Sequence, residues 1–377
     1  MKNFPLVWAP VDLSALKRNL KIIRSQLTRP DTQILSIVKA DAYGHGMTAV
    51  AKVLRHEGVD FFGVAAIDEA VKLRDVCPKE RILVLGSFHP TQVPAYIRCR
   101  IIPTVSSLED LDALEKQLNG AAQPFPVHVK IDTGMGRLGV WHADAMDFFI
   151  GAKRRKRILV EGIYTHFANA DHRDKRLTGR QMTLFKAVIR GINSLGFYPR
   201  FIHTANSLGF LRFKGAHLNL IRPGIILYGM NPCALYPPPK GIRPILELKT
   251  RIAFLKVAEK GRTLSYGSTY KVSQKTLIAT LPIGYSHGYR IGFSNKAFVV
   301  IRGRKCPVVG RVTMDQTLVD VGHVPGVRRW DEVTLIGKNG RVQVQAKDLA
   351  KIIQTIPYEI TCGIHSRIPR IYKGGSN

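Results

Sequence analysis

Over the first two-thirds of the chain, short apolar runs alternate with amphipathic stretches. The runs Ile34–Val38, Phe61–Ala65, Ile82–Leu85, Ile101–Val105, Val127–Ile131, Val160–Thr165, Phe201–Thr204 and Leu218–Ile221 predict eight strands. Met47–His56, Leu108–Leu118 and Gln181–Leu195 predict helices between them. Leu13–Leu27 predicts another ahead of the first strand, capped by Asp12 or Ser14. Strands alternating with helices argue for a parallel sheet, and eight such units within about 230 residues fit a (β/α)8 TIM barrel. The alternation stops at Asn231-Pro232 and Pro237-Pro238-Pro239, which suit neither helix nor central strand, so residues 229–244 read as a linker. Beyond it, Ile245–Val257, Thr276–Leu281, Phe298–Ile301, Pro307–Val312, Thr317–Val321 and Val333–Ile336 predict strands, with a late helix at Ala346–Gln354. The expected architecture is an α/β barrel domain over residues 1–236 and a mostly β domain over 237–377, the first ten or so residues packing on the second domain.

Composition changes little. The chain has 377 residues, 45% hydrophobic and 22% charged, enough to build two large cores. No apolar run reaches the roughly 20 residues that span a bilayer, and Met1–Pro10 has no signal-peptide pattern. The five cysteines, Cys77, Cys99, Cys233, Cys306 and Cys362, are scattered and form no C-x-x-C pair. They point away from a disulfide framework and towards a reducing cytoplasm. The net charge of +30 raises a nucleic-acid partner, but the cations are spread along the chain and no RNA-binding motif accompanies them, so no nucleic-acid or membrane partner is expected.

Barrel enzymes work at the C-terminal ends of their strands. After the first predicted strand comes Lys39-Ala40-Asp41-Ala42-Tyr43-Gly44-His45-Gly46, and the fifth leads through Lys130 and Asp132 into Gly134-Met135-Gly136-Arg137. The sixth ends at His166, the seventh at His203, Asn206 and Ser207, and the eighth at Arg222-Pro223-Gly224-Ile225. A lysine desolvated at such a place has a lowered pKa, as an imine-forming amine needs. Ser207 with the backbone N–H groups of Gly224 and Ile225 suits a phosphate. Gly134 to Gly139 also match G-x-G-x-x-G, but in mid-series rather than in a first βαβ unit, which disfavours a dinucleotide site. His166 and His172 lie outside any metal-ligand spacing, and no metal is expected.

These residues resemble those of the alanine racemases. Val38–Gly46 resembles the family's cofactor-lysine segment, and the likeness continues through Val129–Gly139, Thr165–Ala168, Ala205–Ser207, Arg222–Ile225, Ser265–Gly267, Pro282–Tyr285 and Gly310–Gln316. It implies a homodimer using pyridoxal 5'-phosphate (PLP), with each barrel mouth completed by the partner's second domain. Lys39 would hold the cofactor, with Tyr43, Ser207, Gly224, Ile225 and Tyr358 around its phosphate, Arg222 facing its pyridine nitrogen, and His166 and Asn206 nearby. Arg137 would contact the cofactor phenolate and the substrate carboxylate, oriented by a carbamylated Lys130, and Met314 would offer its backbone N–H to that carboxylate. Tyr266 would be the second base, and Tyr285 and Arg311 would line the entrance. The family also implies D-alanine production for cell-wall peptidoglycan. Two positions depart from it: Pro10 stands where Glu is usual and His287 where Asp is commoner.

Inverting a stereocentre needs a proton removed from one face and returned to the other, a task for Lys39 and Tyr266. A tyrosine with a pKa near 10 needs help to act as a base, for which His166, backed by Arg222 with His203 as an extension of the network, is the candidate. Racemases of serine or of basic residues, a decarboxylase on the same barrel, and a non-catalytic PLP carrier are the rival readings. Arg222 and Tyr266 speak against the decarboxylase, and the second domain against the carrier.

Overall fold

The computed structural model describes residues 5–118, 123–231, 233 and 235–375. Eight parallel strands run in the order Leu220–Ile221, Gln33–Ile37, Phe61–Val64, Arg81–Val84, Ile102–Val105, Phe125–Asp132, Ile158–Tyr164 and Phe201–His203. The last seam has no ladder. It is stitched by Asn219, whose side-chain oxygen accepts from Ile202 N (2.8 Å), and by Arg222 N donating to Ala205 O (2.8 Å). The barrel is therefore nearly closed. Its strands are buried on both faces, which is why they read as continuous apolar runs rather than alternating ones. Leu13–Ser25 covers one side with Leu13, Leu16, Leu20 and Ile23, and Asp12 is its cap, accepting from Ala15 N at 2.9 Å.

The N-terminal strand Val7–Asp12 lies in the sheet of the second domain, antiparallel to Leu248–Arg251 and parallel to Arg370–Lys373. That sheet continues through Glu332–Asn339, Phe298–Ile301 and Arg304–Pro307. Phe254–Ala258, Thr276–Leu281 and Thr317–Asp320 form a smaller sheet.

Two expected strands differ. Ile245–Val257 is broken at Ile252–Ala253, where Ile252 N donates to Asp331 O and Ala253 N to Thr280 O, so the chain changes sheets there. Pro307–Val312 is not a strand. The left-handed pair Arg302 (φ 49°) and Gly303 (φ 73°) sets a hairpin whose second arm is Arg304–Pro307, and the apolar run beyond it turns at Gly310 (φ 75°). Val308, Val309 and Val312 are buried all the same. Their hydrophobicity reports burial, which a packed loop can supply as well as a strand. Of the 229–244 linker, Pro232 and Ala234 lie outside the described residues, and the described part holds neither helix nor strand.

Candidate active site

The C-terminal ends of the barrel strands surround a cavity of about 330 Å³, the size of small-molecule sites. Lys39, Lys130, Arg137 and Arg222 line it, and among the described residues no carboxylate does. Tyr43, His166, Asn206, Ser207, Gly224, Ile225 and Tyr358 complete the residues expected there from sequence. A larger, more open groove of about 810 Å³ around Arg24, Thr28, Arg55 and Glu80 lies at the other end of the barrel, the end associated with stability rather than chemistry.

Lys39 opens a left-handed turn. Ala40, Asp41, Ala42 and Tyr43 all have φ between 52° and 55°, a conformation that costs L-residues roughly 1–2 kcal/mol each. Glycines, Gly44 (φ 83°) and Gly46 (φ 93°), only end this turn. The strained backbone is held from several sides. Asp41 accepts from Gly46 N through its carbonyl and from Met47 N through its carboxylate, and Glu69 accepts from Ala40 N and Ala65 N. His45 Nδ1 bridges the carbonyls of Ala42 and Tyr43 at 2.8 and 2.9 Å, so it carries the ring proton; burial pushes its pKa down to about 4 and keeps it neutral. Gly44 backs onto Thr361 O, which an added Cβ would meet at 2.1 Å. The turn brings Lys39 and Tyr43 to the same cavity. Burial first, then the nearby Arg137 cation, lowers the pKa of Lys39.

The same cavity is lined by a serine–glycine group suited to an anion. Asn206 Oδ1 caps the short helix Ser207–Arg212 by accepting from Gly209 N (2.9 Å), and Ser207 Oγ accepts from Gly224 N (3.0 Å). A Cβ at position 224 would lie 2.5 Å from the Tyr43 hydroxyl, so only glycine leaves that hydroxyl its place. Burial raises the pKa of Tyr43 and Tyr358, keeping both as O–H donors.

Arg222 is 3% exposed. One nitrogen donates to His203 Nδ1 (2.9 Å); the other donates to the carbonyls of Thr165 (2.9 Å) and Thr204 (3.1 Å) and faces His166 Nδ1 at 3.4 Å. Burial lowers its pKa to about 10, which leaves it a cation at neutral pH. Burial, then Arg222 and Arg137, hold His166 well below the ordinary imidazole value. Asn206 Nδ2 approaches the other nitrogen of that ring at 3.3 Å. A neutral ring accepts at only one nitrogen, so His166 is crowded by donors.

Asp132 shapes the Arg137 loop, accepting from Gly134 N and Met135 N (both 2.8 Å) and from Arg137 N (3.1 Å). No helix begins at Gly139. The chain instead enters the short strand Val140–Trp141 paired to Phe125–Asp132, so the glycine pattern is not a dinucleotide motif. Lys130 is 3% exposed and lies 5.9 Å from the centroid of the Tyr164 ring. Burial, Arg137 and Arg222 push its pKa down to about 8.

Tyr266, Tyr285, Arg311 and Met314 are not among the cavity's lining residues. They form a separate group on the second domain. Ser265 Oγ donates to Arg311 O, Tyr285 N to Thr313 O, and Ser286 N to Met314 O. Tyr266 is 70% exposed at the tip of a loop whose flanks, Ser265 and Gly267, have φ of 64° and 71°.

The profile described as alanine racemase, N-terminal domain, matches residues 11–232, and that described as alanine racemase, C-terminal domain, matches residues 245–372. The chain belongs to the alanine racemase family. The alanine racemase of Halothermothrix orenii is 42% identical over 366 residues, covering 97% of this chain and 96% of its own. The crystal structure of the Bacillus anthracis alanine racemase with bound L-Ala-P is 33% identical with a TM-score of 0.92, covering 99% of this chain and 96% of its own. That of the Bartonella henselae alanine racemase, with covalently bound pyridoxal phosphate, is 26% identical with a TM-score of 0.89, covering 98% and 100%.

Within this alanine racemase fold, His128, Tyr164 and Gln181 also support the site, and none of them stands in a strand-end motif. Gln181 accepts from Ala168 N and donates to Thr133 Oγ1 and His166 O, tying the sixth strand end to the fifth. The period-two rule could have found His128, since it shares a strand face with Lys130.

Proposed function

We infer that this enzyme interconverts L- and D-alanine with PLP as cofactor. The observation that carries the reading is the convergence of four basic side chains, and of no carboxylate among the described residues, on one cavity that also holds a desolvated Lys39 amine and a serine–glycine group suited to an anion. Such a site suits a phosphorylated cofactor together with a substrate carboxylate. The residues fit PLP: Lys39 for its carbonyl carbon, Ser207, Gly224, Ile225, Tyr43 and Tyr358 for its phosphate, and Arg222 for its ring nitrogen, with His166 and Asn206 beside the ring. When bound, PLP acidifies the substrate Cα–H by accepting the electrons released there.

The chain's own groups supply the rest. Lys39 Nζ moves a proton on one face of Cα, and Tyr266 Oη moves it on the other, delivered by a second copy of the chain in a homodimer. The exposure of Tyr266 and its absence from the cavity lining support a partner's site as its place. Arg137 and the backbone N–H of Met314 hold the substrate carboxylate, and Tyr285 and Arg311 line the entrance. Lys130, with a pKa near 8, has enough neutral amine to be carbamylated; the carbamate would place a negative charge against Arg137. The working unit is a barrel over residues 1–236, whose first strand joins the second domain, and a β domain over 237–377. No helix among the described residues is long and apolar enough to cross a membrane. A cytoplasmic enzyme supplying D-alanine to peptidoglycan accords with this.

The direct test incubates the purified protein with PLP and L-alanine, L-serine or L-lysine and follows the D-enantiomers by chiral chromatography. D-alanine should form fastest. No D-product from any of the three would reject the racemase reading.

Arg222 can only donate, so it leaves the ring nitrogen unprotonated and moderates the electron sink. Arg222→Glu should slow racemisation by on the order of 10²-fold, the scale of losing one preorganised donor. It should also raise the fraction of turnovers that convert cofactor to its aminated form. An unchanged partition between these reactions would remove this role.

A further inference from the structure

Behind Arg222, a line of buried polar side chains runs through the barrel interior to its opposite end. His203 Nδ1 meets Arg222 at 2.9 Å, and His203 Nε2 meets His128 Nδ1 at 2.9 Å. His128 Nε2 faces Glu161 Oε2 at 3.9 Å, and Glu161 Oε1 accepts from Arg81 at 2.9 Å. Arg81 begins its strand at the end away from the cavity. His203 and His128 are fully buried and Glu161 is 8% exposed.

With the Arg222 guanidinium at one end and the Glu161 carboxylate at the other, the protons along this line have one favoured order. A guanidinium donates and never accepts, so His203 accepts at Nδ1 and carries its proton on Nε2. That N–H donates to His128 Nδ1, which places the proton of His128 on Nε2, towards Glu161. Both rings are neutral. Burial, then Arg81 and Arg222, take His128 down to about 3, and burial, then Arg222 and His128, hold His203 well below the ordinary value. His128 Nε2 and Glu161 Oε2 have no hydrogen-bond partner in the described structure, so each is the other's nearest complement.

The fold makes room for the line. A Cβ at Gly162 would lie 2.5 Å from the His128 ring, so this strand must carry glycine there. Tyr164 stacks on His203 with centroids 4.7 Å apart and planes within 11°. Phe61 and Phe201 pack against His128. Rings held this tightly keep their tautomers unless an end of the chain is changed.

We propose that His128 and Glu161 are positioning residues for Arg222: hydrogen bonds join Arg222, His203 and His128, the Glu161 carboxylate faces the His128 Nε2–H electrostatically at 3.9 Å, and together they keep His203 in its Nε2–H tautomer with a lone pair aimed at the guanidinium. The other tautomer sets an N–H against an N–H and displaces Arg222 from the cofactor ring. A wrong histidine tautomer is a known way to lose activity without losing geometry. The proposal rests on the reading that Arg222 faces the ring nitrogen. An ion pair between Glu161 and Arg81 that served only to brace the barrel would leave the His203 proton where it is.

The test compares the wild-type holoenzyme with Glu161→Leu and Glu161→Gln by nitrogen-15 NMR of the histidine rings and by steady-state kinetics. In the wild type, both His203 and His128 should carry the proton on Nε2. Glu161→Leu should shift both towards a mixture of tautomers and lower kcat about 10-fold, the scale seen when outer partners of functional groups are removed. KM for alanine should stay within about 2-fold, since Arg137 holds the carboxylate. Glu161→Gln keeps an acceptor and should recover most of kcat and the wild-type tautomers. A wild-type Nδ1 proton on either ring overturns the proposal, whether or not the leucine variant folds. So does a tautomer shift in Glu161→Leu that leaves kcat unchanged. If the wild type forms no D-alanine while both rings carry Nε2 protons, the racemase reading fails and the proton order stands.

Discussion

Replacing Lys39 with alanine should abolish racemisation, by on the order of 10⁴-fold or more, with the fold intact. Losses of this size follow removal of a group that attaches the reacting partner and also moves its proton. Stability should hardly change. Burial and Arg137 lower the pKa of Lys39, so the folded protein binds this proton less readily than the unfolded chain, whose lysines titrate near 10.4. The proton is therefore a cost of folding, carried in full below the folded pKa and relieved as pH rises towards the unfolded value. Alanine removes that cost along with the stem's packing, and the thermal midpoint should stay within about 3 °C. Borohydride should fix PLP to the peptide containing Lys39 in the wild type and to none in the variant. Retained racemase activity in Lys39→Ala, or PLP fixed to another peptide, would displace Lys39 from its role.

The second large effect is asymmetric. Tyr266→Phe should slow exchange of the Cα proton from one alanine enantiomer by roughly 10²–10⁴-fold, the range of general acid–base contributions, and leave exchange from the other far less affected. Equal loss from both would argue against two bases. Sharing between subunits can be read in the same pair of variants. Lys39→Ala and Tyr266→Phe should each racemise alanine only weakly or not at all alone. In a hybrid dimer with sharing, one site receives both defects and the other none, so mixing the refolded variants should restore activity. If Tyr266 serves its own barrel, every site in the hybrid stays defective and mixing restores nothing. The 70% exposure of Tyr266, on a loop whose neighbours bond to one another and not to the cavity, favours restoration.

The barrel was legible because each of its strands is buried on both faces and each intervening helix on one, so burial writes itself into the sequence as runs and helical periods. The second domain was less so. There the run Pro307–Val312 owes its valines to burial in a turn, and the boundary of the actual strand, Arg304–Pro307, was set by two left-handed residues upstream. The start of the chain was expected to pack on the second domain, but which strands Val7–Asp12 pairs with had no local sign, since its partners lie more than 200 residues away.

The site divides in the same way. By itself the sequence determined which residue types stand at the strand ends, and so that lysine, arginines and a serine–glycine cradle meet at one rim. That much follows from strand periodicity, because the end of each strand is fixed once the strand is. Only the tertiary structure decided the rest. The left-handed turn at Ala40–Tyr43 is made by residues that disfavour it and is held by Asp41, Glu69, His45 and the Thr361 carbonyl. The pKa of Lys130 near 8 comes from burial, from Arg137 on the following loop and from Arg222, distant in sequence. The order of protons from Arg222 to Glu161 comes from four strands brought face to face inside the barrel. Desolvation and hydrogen-bond direction depend on which groups share a dry interior, and that is a property of the closed barrel rather than of any stretch of chain.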